Sequence, residues 1–164
     1  KALYVGISKY PKEATEFAYK YLAERDVHCL LYQGKYNLFN REPEEEGILR
    51  QAKENGTGFI AFSPLAQGLL TNRYLNGIPE DSRMARGGFL KKEQLTEDVL
   101  SKIKALNKMA EERGQTLAEM ALAWVLKDDL VTSVIIGASS VAQLEDNLKA
   151  IRNTSFTKEE LRRL

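Results

Sequence analysis

The sequence is poor in the residues that build disulfides and metal sites. It contains one cysteine and one histidine in 164 residues. A single cysteine excludes an internal disulfide and a metal site with several thiolate ligands. The histidine, His28, adjoins Cys29 at the start of an apolar run, where a structural role is the simpler interpretation. We therefore predict no metal site.

An excess of charge of one sign and long apolar runs are also absent. Lys and Arg total 24, Asp and Glu total 23, and the net charge is +1. This balance provides no overall basic field that would attract nucleic acid or a membrane surface. The sequence has no run of about 18 apolar residues and no signal-peptide pattern. We therefore expect a cytoplasmic protein without membrane insertion and without a nucleic-acid partner.

The composition is that of a globular protein. Hydrophobic residues make up 43% of the chain and charged residues 29%. A chain of this length can bury a core without disulfides or metal ions. It starts with Lys1 rather than Met and passes at once into an apolar run, so we expect it to begin inside a longer protein.

Apolar strand-like runs alternate with segments of helical periodicity along the chain. Strands are predicted over 2–8, 27–32, 59–63 and 132–136, and the main helices over 11–25, 42–55, 95–113, 116–128 and 140–151. Thr116 with Glu119, and Thr157 with Glu160, have the spacing of capping boxes that open helices. This alternation predicts right-handed βαβ units and a parallel sheet.

Two α/β architectures fit this order of elements. An open doubly wound sheet that binds a dinucleotide needs a Gly-x-Gly-x-x-Gly turn after a strand, and the sequence has none. A (β/α)8 TIM barrel often binds phosphate in the loops after its last two strands. The segments 63–68 and 137–140 follow the last two predicted strands and are rich in small residues. The barrel is therefore the favoured fold.

Four stretches of the chain carry a resemblance to one family. They are ALYVGIS at 2–8, QGKYNLFNR at 33–41, IAFSPLAQGLLT at 60–71 and IGASSVAQLEDNL at 136–148. Together they resemble the C-terminal half of an aldo-keto reductase, in the bacterial branch that is similar to potassium-channel β subunits. The resemblance implies that residues 1–164 form strands five to eight of one (β/α)8 barrel domain, the half that binds NADP(H).

The resemblance also assigns the candidate cofactor-binding residues. Ser8 and Gln33 would bind the nicotinamide carboxamide, and Phe62 would pack near the nicotinamide ring. The remaining residues would contact the phosphates, the ribose and the adenine: Ser63, Pro64, Leu65, Ala66, Gly68 and Leu69 at the pyrophosphate, Arg73 and Arg83 as cationic clamps, Ser139 and Gln143 at the 2′-phosphate and nearby ribose, and Asp146 and Asn147 at the adenine. Helix capping by Ser139 and Ser140 is an alternative role, because capping and phosphate binding use the same donors.

The catalytic residues of the family are expected outside this sequence. The resemblance places the Asp, Tyr, Lys and His of the family on the first half of the barrel, so no catalytic residue is assigned here. The implied function is NADP(H)-dependent reduction of small-molecule aldehydes and ketones to alcohols, with this chain inactive by itself and dependent on an N-terminal half-barrel or on self-association. The alternatives are a cofactor-binding regulatory subunit and an inactive half-barrel fragment.

Close relatives differ from this sequence in the second predicted strand. Tyr32 and Gly34 stand where those relatives often have His and Pro. We expect this difference to loosen a turn after the strand.

Overall fold

Four parallel strands form one sheet, and they lie side by side in the order in which they occur in the sequence. The computed structural model describes residues 2–80, 82, 84–85, 87 and 90–164. The strands are β1 (Val5–Ser8), β2 (Cys29–Lys35), β3 (Gly58–Phe62) and β4 (Ser133–Ile135). The α-helices are α1 (Lys12–Ala23), α2 (Glu42–Glu45), α3 (Ile48–Glu54), α4 (Glu97–Glu112), α5 (Leu117–Val125), α6 (Val141–Leu148) and α7 (Lys158–Arg163).

The chain packs as two compact units. The first contains Lys1–Pro64 and Trp124–Gly137, and therefore the whole sheet. The second contains Leu65–Ala123 and Ala138–Leu164. Among the described residues, no helix is both long and apolar enough to cross a membrane. In the same part of the chain, no three side chains of His, Cys, Asp or Glu are grouped as metal ligands would be.

In the first unit, the two faces of the sheet differ in burial. Tyr32 pairs with Phe59, and both side chains are buried on the face against which α3 packs. Gln33 pairs with Ile60 on the opposite face, where both residues are only half-buried. Because side chains alternate between the faces of a strand, the residues in register with Gln33 share this more open face.

An aromatic cluster fills the core of the first unit behind the sheet. The ring of Tyr36 lies 5.0 Å from that of Trp124 and 6.3 Å from that of Phe59. The ammonium group of Lys127 lies 4.3 Å from the centre of the Trp124 ring. All three aromatic side chains are at most 1% exposed. Their burial anchors the segment after β2 firmly to the core.

The second unit has its own core, which α4 and α5 supply in large part. The cluster comprises Leu69, Tyr74, Met84, Leu90, Ile103, Met109, Ala110, Leu117 and Met120. The turn between the two helices is capped as predicted: Thr116 Oγ1 accepts from the Glu119 amide at 3.2 Å, and Glu119 Oε2 accepts from the Thr116 amide at 3.1 Å. Helix α7 opens with the same reciprocal pair between Thr157 and Glu160.

The predicted elements occur in the predicted order, with differences at their ends. The single helix expected over 42–55 is two helices, because Gly47 between them has a left-handed φ of 79°. The first strand starts at Val5 rather than residue 2. The second strand starts later, at Cys29, and runs on to Lys35.

The loosened turn expected after the second strand is absent, and that prediction was wrong. Gly34 pairs with Ala61 inside the ladder between β2 and β3. A Cβ atom at Gly34 would lie 2.7 Å from Phe59 Cζ and 2.9 Å from Tyr32 Cε1. Glycine therefore leaves room for two stacked rings and lets the strand continue.

Candidate functional site

Two predicted site residues lie side by side at the carboxyl end of the sheet in the first unit. Ser8 is the last residue of β1, and its register partner is Gln33 of β2. The backbone amide of Lys9 donates to the Gln33 carbonyl at 3.0 Å, which extends the ladder past Ser8. Ser8 is exposed and Gln33 is half-buried. A hydroxyl and a side-chain amide are therefore presented together on the open face of the sheet.

A pocket of about 290 Å³ lies against this pair. It is lined by residues of β1 and β2 and of their neighbouring segments: Tyr4, Val5, Gly6, Ile7, Ser8, Leu30, Leu31 and Gln33. Most of this lining is apolar, and Ser8, Gln33 and the hydroxyl of Tyr4 supply polar groups that can orient a ligand. A Cβ atom at Gly6 would approach the Leu31 carbonyl oxygen to 3.1 Å, so glycine permits the close packing of β1 and β2 here.

The end of β3 carries the next predicted residues of the first unit. Phe62 is the last strand residue and is half-buried, in register with Lys35 and Ile135. Ser63 follows with a left-handed φ of 53°, an uncommon conformation for a residue other than glycine. Pro64 after it is buried. The backbone therefore turns sharply where the strand ends.

The sequence reasoning missed Asn37, which contacts this turn directly. Its Nδ2 donates to the Ser63 carbonyl oxygen at 2.9 Å. Asn37 lies in the stretch 33–41, which is one of the four that resemble the family. This location was the one feature of the sequence that could have suggested a role for Asn37. Its partner is 26 residues away in the chain, so local sequence patterns did not reveal the contact.

A hydrogen-bonded group behind the sheet holds the segment that contains Asn37. The Tyr36 hydroxyl donates to Glu44 Oε2 at 3.0 Å, and Lys127 Nζ donates to the Tyr36 hydroxyl at 3.0 Å. Burial, reinforced by the nearby Glu44 carboxylate, raises the pKa of Tyr36 well above its ordinary value. Tyr36 therefore stays protonated and serves as a fixed donor.

In the second unit, the predicted pyrophosphate loop has an unusual backbone. Ala66, Gln67 and Gly68 have φ values of 46°, 59° and 102°. Its turn is closed by the Gly68 amide donating to the Leu65 carbonyl at 2.8 Å and by Thr71 Oγ1 donating to the Gly68 carbonyl at 2.7 Å. Leu65 is half-buried and Leu69 buried. Small residues were expected here for close backbone approach, and the left-handed Gln67 was not predicted.

Of the two arginines predicted to bind the cofactor phosphates, Arg73 lies among the described residues and Arg83 does not. Arg73 lies in a 3₁₀ turn, Asn72–Tyr74, where it is exposed. Its backbone amide donates to Thr71 Oγ1 at 3.2 Å. Arg83 lies outside the described residues, so its role as a phosphate clamp stays a prediction from the resemblance.

The start of α6 brings together two further predicted residues. Gln143 Oε1 accepts from the Ser139 amide at 2.7 Å and lies 3.0 Å from the Ser139 hydroxyl, which donates to it. Ser140 is the helix cap, because its Oγ accepts from the Gln143 amide at 3.2 Å. Ser140, and not Ser139, is therefore the residue that caps the helix. Gln143 bonds to Ser139 through its side-chain oxygen, so these bonds do not use its Nε2 donors.

Asp146 and Asn147 lie further along α6 and differ in their surroundings. Asp146 Oδ1 accepts from Lys149 Nζ at 2.5 Å, and this hydrogen bond raises the pKa of Lys149. Asn147 is 5% exposed, and its buried Nδ2 has no hydrogen-bond partner among the described residues. An unpaired buried amide donor fits a ligand that offers an acceptor, such as an adenine nitrogen. This observation is compatible with NADP(H).

Comparison with known proteins establishes the family. The family model described as "Aldo/keto reductase family" matches residues 1–164. The chain belongs to the aldo/keto reductase family. The recognition made from the four sequence stretches is therefore confirmed.

Individual members of the aldo/keto reductase family resemble this chain over nearly its full length. An L-glyceraldehyde 3-phosphate reductase of Escherichia coli (strain K12) is 52% identical over 98% of this chain and 48% of its own. A probable voltage-gated potassium channel subunit beta of Arabidopsis thaliana is 37% identical over 92% of this chain and 47% of its own. The chain thus spans about half the length of the curated relatives that it matches.

A solved structure supports the fold of this aldo/keto reductase chain. A thermostable aldo-keto reductase in complex with the inhibitor epalrestat superposes with a TM-score of 0.67 at 25% sequence identity. The match covers 97% of this chain and 46% of that one. The parallel sheet with its helices is consistent with part of an aldo-keto reductase barrel.

Proposed function

We propose that this chain supplies the cofactor-binding half of a cytoplasmic, NADP(H)-dependent oxidoreductase that reduces aldehydes and ketones to alcohols. Family membership supports the class of reaction. The observation that carries the proposal is the pairing of Ser8 with Gln33 beside the pocket of about 290 Å³. Aldehydes are the first substrates to test. The first of them is L-glyceraldehyde 3-phosphate, because the Escherichia coli relative is named as a reductase of this compound.

The proposed roles follow from the chemistry of each side chain. A carboxamide both donates and accepts hydrogen bonds, as the Gln33 amide and the Ser8 hydroxyl can in return. Phe62 offers an apolar surface to a nicotinamide ring. When bound, NADPH would supply the hydride for the carbonyl carbon. The task of these residues is to bind and orient the cofactor.

The remaining residues are assigned to the phosphates, the ribose and the adenine. The loop of Ser63, Pro64, Leu65, Ala66, Gly68 and Leu69 would meet the pyrophosphate, with Arg73 and Arg83 supplying positive charge. Ser139 and Gln143 would meet the 2′-phosphate and ribose. Asn147 would donate a hydrogen bond from its unpaired Nδ2 to the adenine. Asp146 would accept a hydrogen bond from the adenine once its ion pair with Lys149 opens.

We further propose that the chain is the C-terminal half of one barrel domain and needs a partner to work. Within the described residues, β1 and β4 each pair with only one neighbouring strand. Unpaired strand edges favour pairing with another chain. An N-terminal half-barrel, or a second copy, would cover these edges. The catalytic Asp, Tyr, Lys and His would come from the N-terminal half, so the chain alone should bind NADPH weakly and reduce nothing.

A binding and complementation experiment tests the proposal. The chain is titrated with NADPH by cofactor fluorescence, alone and mixed with the N-terminal half of the Escherichia coli relative, and the mixture is assayed with aldehydes. The expected result is tighter NADPH binding and turnover only in the mixture. Gln33→Ala should weaken binding, whereas Lys20→Ala on α1 should not. No NADPH binding under either condition would reject the proposal.

A regulatory role is the second candidate, favoured by the match to the Arabidopsis thaliana protein. In that case the complete protein would bind NADPH tightly, turn over negligible substrate and form a stable complex with a membrane channel. A third candidate is an inactive half-barrel fragment. It predicts that addition of an N-terminal half restores neither binding nor turnover.

A further inference from the structure

We propose that Asn37 is a positioning residue that holds Ser63 in its left-handed conformation and so shapes the end of β3 for cofactor binding. The inference rests on the proposed function, because Ser63 is one of the residues assigned to the cofactor phosphates. Asn37 would not touch the cofactor itself. It would act through the backbone of Ser63.

The conformation of Ser63 is unfavourable without support. At its φ of 53°, Cβ is crowded against the backbone of the adjacent peptide unit, a conformation that L-residues other than glycine avoid. The residue that follows is Pro64, whose ring further restricts the backbone of the residue before it. Such a conformation persists only where surrounding contacts impose it. The contact found here is the hydrogen bond from Asn37 Nδ2 to the Ser63 carbonyl, at 2.9 Å.

The side-chain amide of Asn37 has one orientation that satisfies its neighbours. Its Oδ1 accepts from the backbone amides of Phe39 and Asn40, both at 2.9 Å. Because these two groups are donors, the oxygen must face them and Nδ2 must face the Ser63 carbonyl. Asn37 is 1% exposed, so water competes little for these bonds. These three hydrogen bonds therefore fix the orientation of the amide group, with Nδ2 directed at the Ser63 carbonyl.

The backbone around Asn37 is also held in place. Asn37 and Asn40 exchange backbone hydrogen bonds of 3.1 and 3.0 Å across a tight turn. The preceding residue, Tyr36, is 0% exposed and bonds to Glu44 and Lys127. Asn37 thus belongs to a rigid segment, and a rigid segment can impose a conformation on its partner.

The proposal predicts how two substitutions act on NADPH binding by the chain. Asn37→Asp keeps the acceptor for Phe39 and Asn40 but removes the donor, and at neutral pH it turns a carboxylate towards the Ser63 carbonyl. We expect about a tenfold rise in Kd, equivalent to about 1.4 kcal/mol. Asn40→Asp places the same charge three residues away and leaves the bond from Asn37 Nδ2 to the Ser63 carbonyl in place, so it should change Kd little.

Two further results separate positioning from general destabilisation. Glycine adopts positive φ readily, so in the Ser63→Gly background Asn37→Asp should cost much less than tenfold. A protonated aspartic acid regains an O–H donor, so the Kd of Asn37→Asp should recover as the pH falls, and that of Asn40→Asp should not. An equal loss in both Ser63 backgrounds would overturn the proposal.

The backbone conformation of Ser63 can be measured in the absence of NADPH, so the role of Asn37 can be tested separately from the proposed function. NMR coupling constants and carbon shifts of Ser63 report its backbone angle in the chain itself. We expect left-handed values in the unsubstituted chain and a move towards extended values in Asn37→Asp. If the chain binds no NADPH, the proposed function fails while this test still stands. Unchanged Ser63 signals in Asn37→Asp would overturn the positioning role. If that variant does not fold, Asn37→Ser is measured in its place, and its Ser63 signals should also move towards extended values.

Discussion

Arg113 Nη1 donates to Glu160 Oε1 at 2.6 Å, joining the end of α4 to the first turn of α7 within the second unit. The guanidinium side chain is 5% exposed and the carboxylate 19%. Further donors of Arg113 reach the Ser155 carbonyl and Gln115 Oε1, at 2.9 and 2.8 Å. The guanidinium also lies 3.8 Å from the centre of the Phe156 ring. One arginine therefore fastens the C-terminal segment to the helical core.

Loss of the Arg113 side chain should destabilise the chain. Arg113→Ala leaves a largely buried carboxylate without its partner, and breaking such a pair typically costs about 3 kcal/mol. Arg163→Ala is the matched control, because its 2.9 Å bond to Glu112 is exposed on both sides and such pairs contribute at most about 1 kcal/mol. Urea denaturation measures both. Equal losses for the two variants would contradict the importance of burial here.

The stability of the chain should depend on the ionisation of Glu160. The hydrogen bond from the Thr157 amide, and then the bond from Arg113, hold the pKa of this carboxyl below its ordinary value of 4.5. A lowered folded-state pKa stabilises the folded state above pH 4.5, and this stability is lost as the pH falls through the lowered pKa. Denaturation curves should therefore show declining stability below pH 4.5. Glu160→Gln should remove part of that decline, and an unchanged pH profile would contradict this assignment.

An alanine at Gly34 should disturb the core of the sheet. The new Cβ would collide with the rings of Phe59 and Tyr32, which stack with centroids 5.3 Å apart. Overpacking of this kind costs about 1–3 kcal/mol. Gly58→Ala is the control, because the nearest atom to its new Cβ is Thr132 Oγ1, at 3.2 Å, a longer approach than either ring contact at Gly34. Thermal unfolding should show the larger fall in Tm for Gly34→Ala.

Asn147 should matter more for cofactor binding than for stability. Its Nδ2 makes no hydrogen bond to the described residues, so Asn147→Ala removes an unsatisfied donor and should leave Tm nearly unchanged. If Nδ2 donates to the adenine, the Kd for NADPH should rise about tenfold. Fluorescence titration and thermal unfolding of the same variant make the comparison. A large fall in Tm with an unchanged Kd would show that Asn147 is structural.

The sequence by itself determined the features that depend on near neighbours in the chain. The apolar runs predicted the four strands and their parallel order, because burial of a parallel sheet demands such runs. The capping boxes at Thr116 and Thr157 were predicted correctly, since each bond joins residues three apart. The four matched stretches identified the family.

Only the tertiary structure decided the features that depend on distant residues. Asn37 and Ser63 are 26 residues apart, and Arg113 and Glu160 are 47 apart. The fit of Gly34 between two rings likewise depends on how two strands align. Local periodicity and capping rules describe interactions within a few residues, whereas these contacts arise when the folded chain brings separate segments together. The turn after β3 was therefore recognisable from the sequence, and the side chain that shapes it was not.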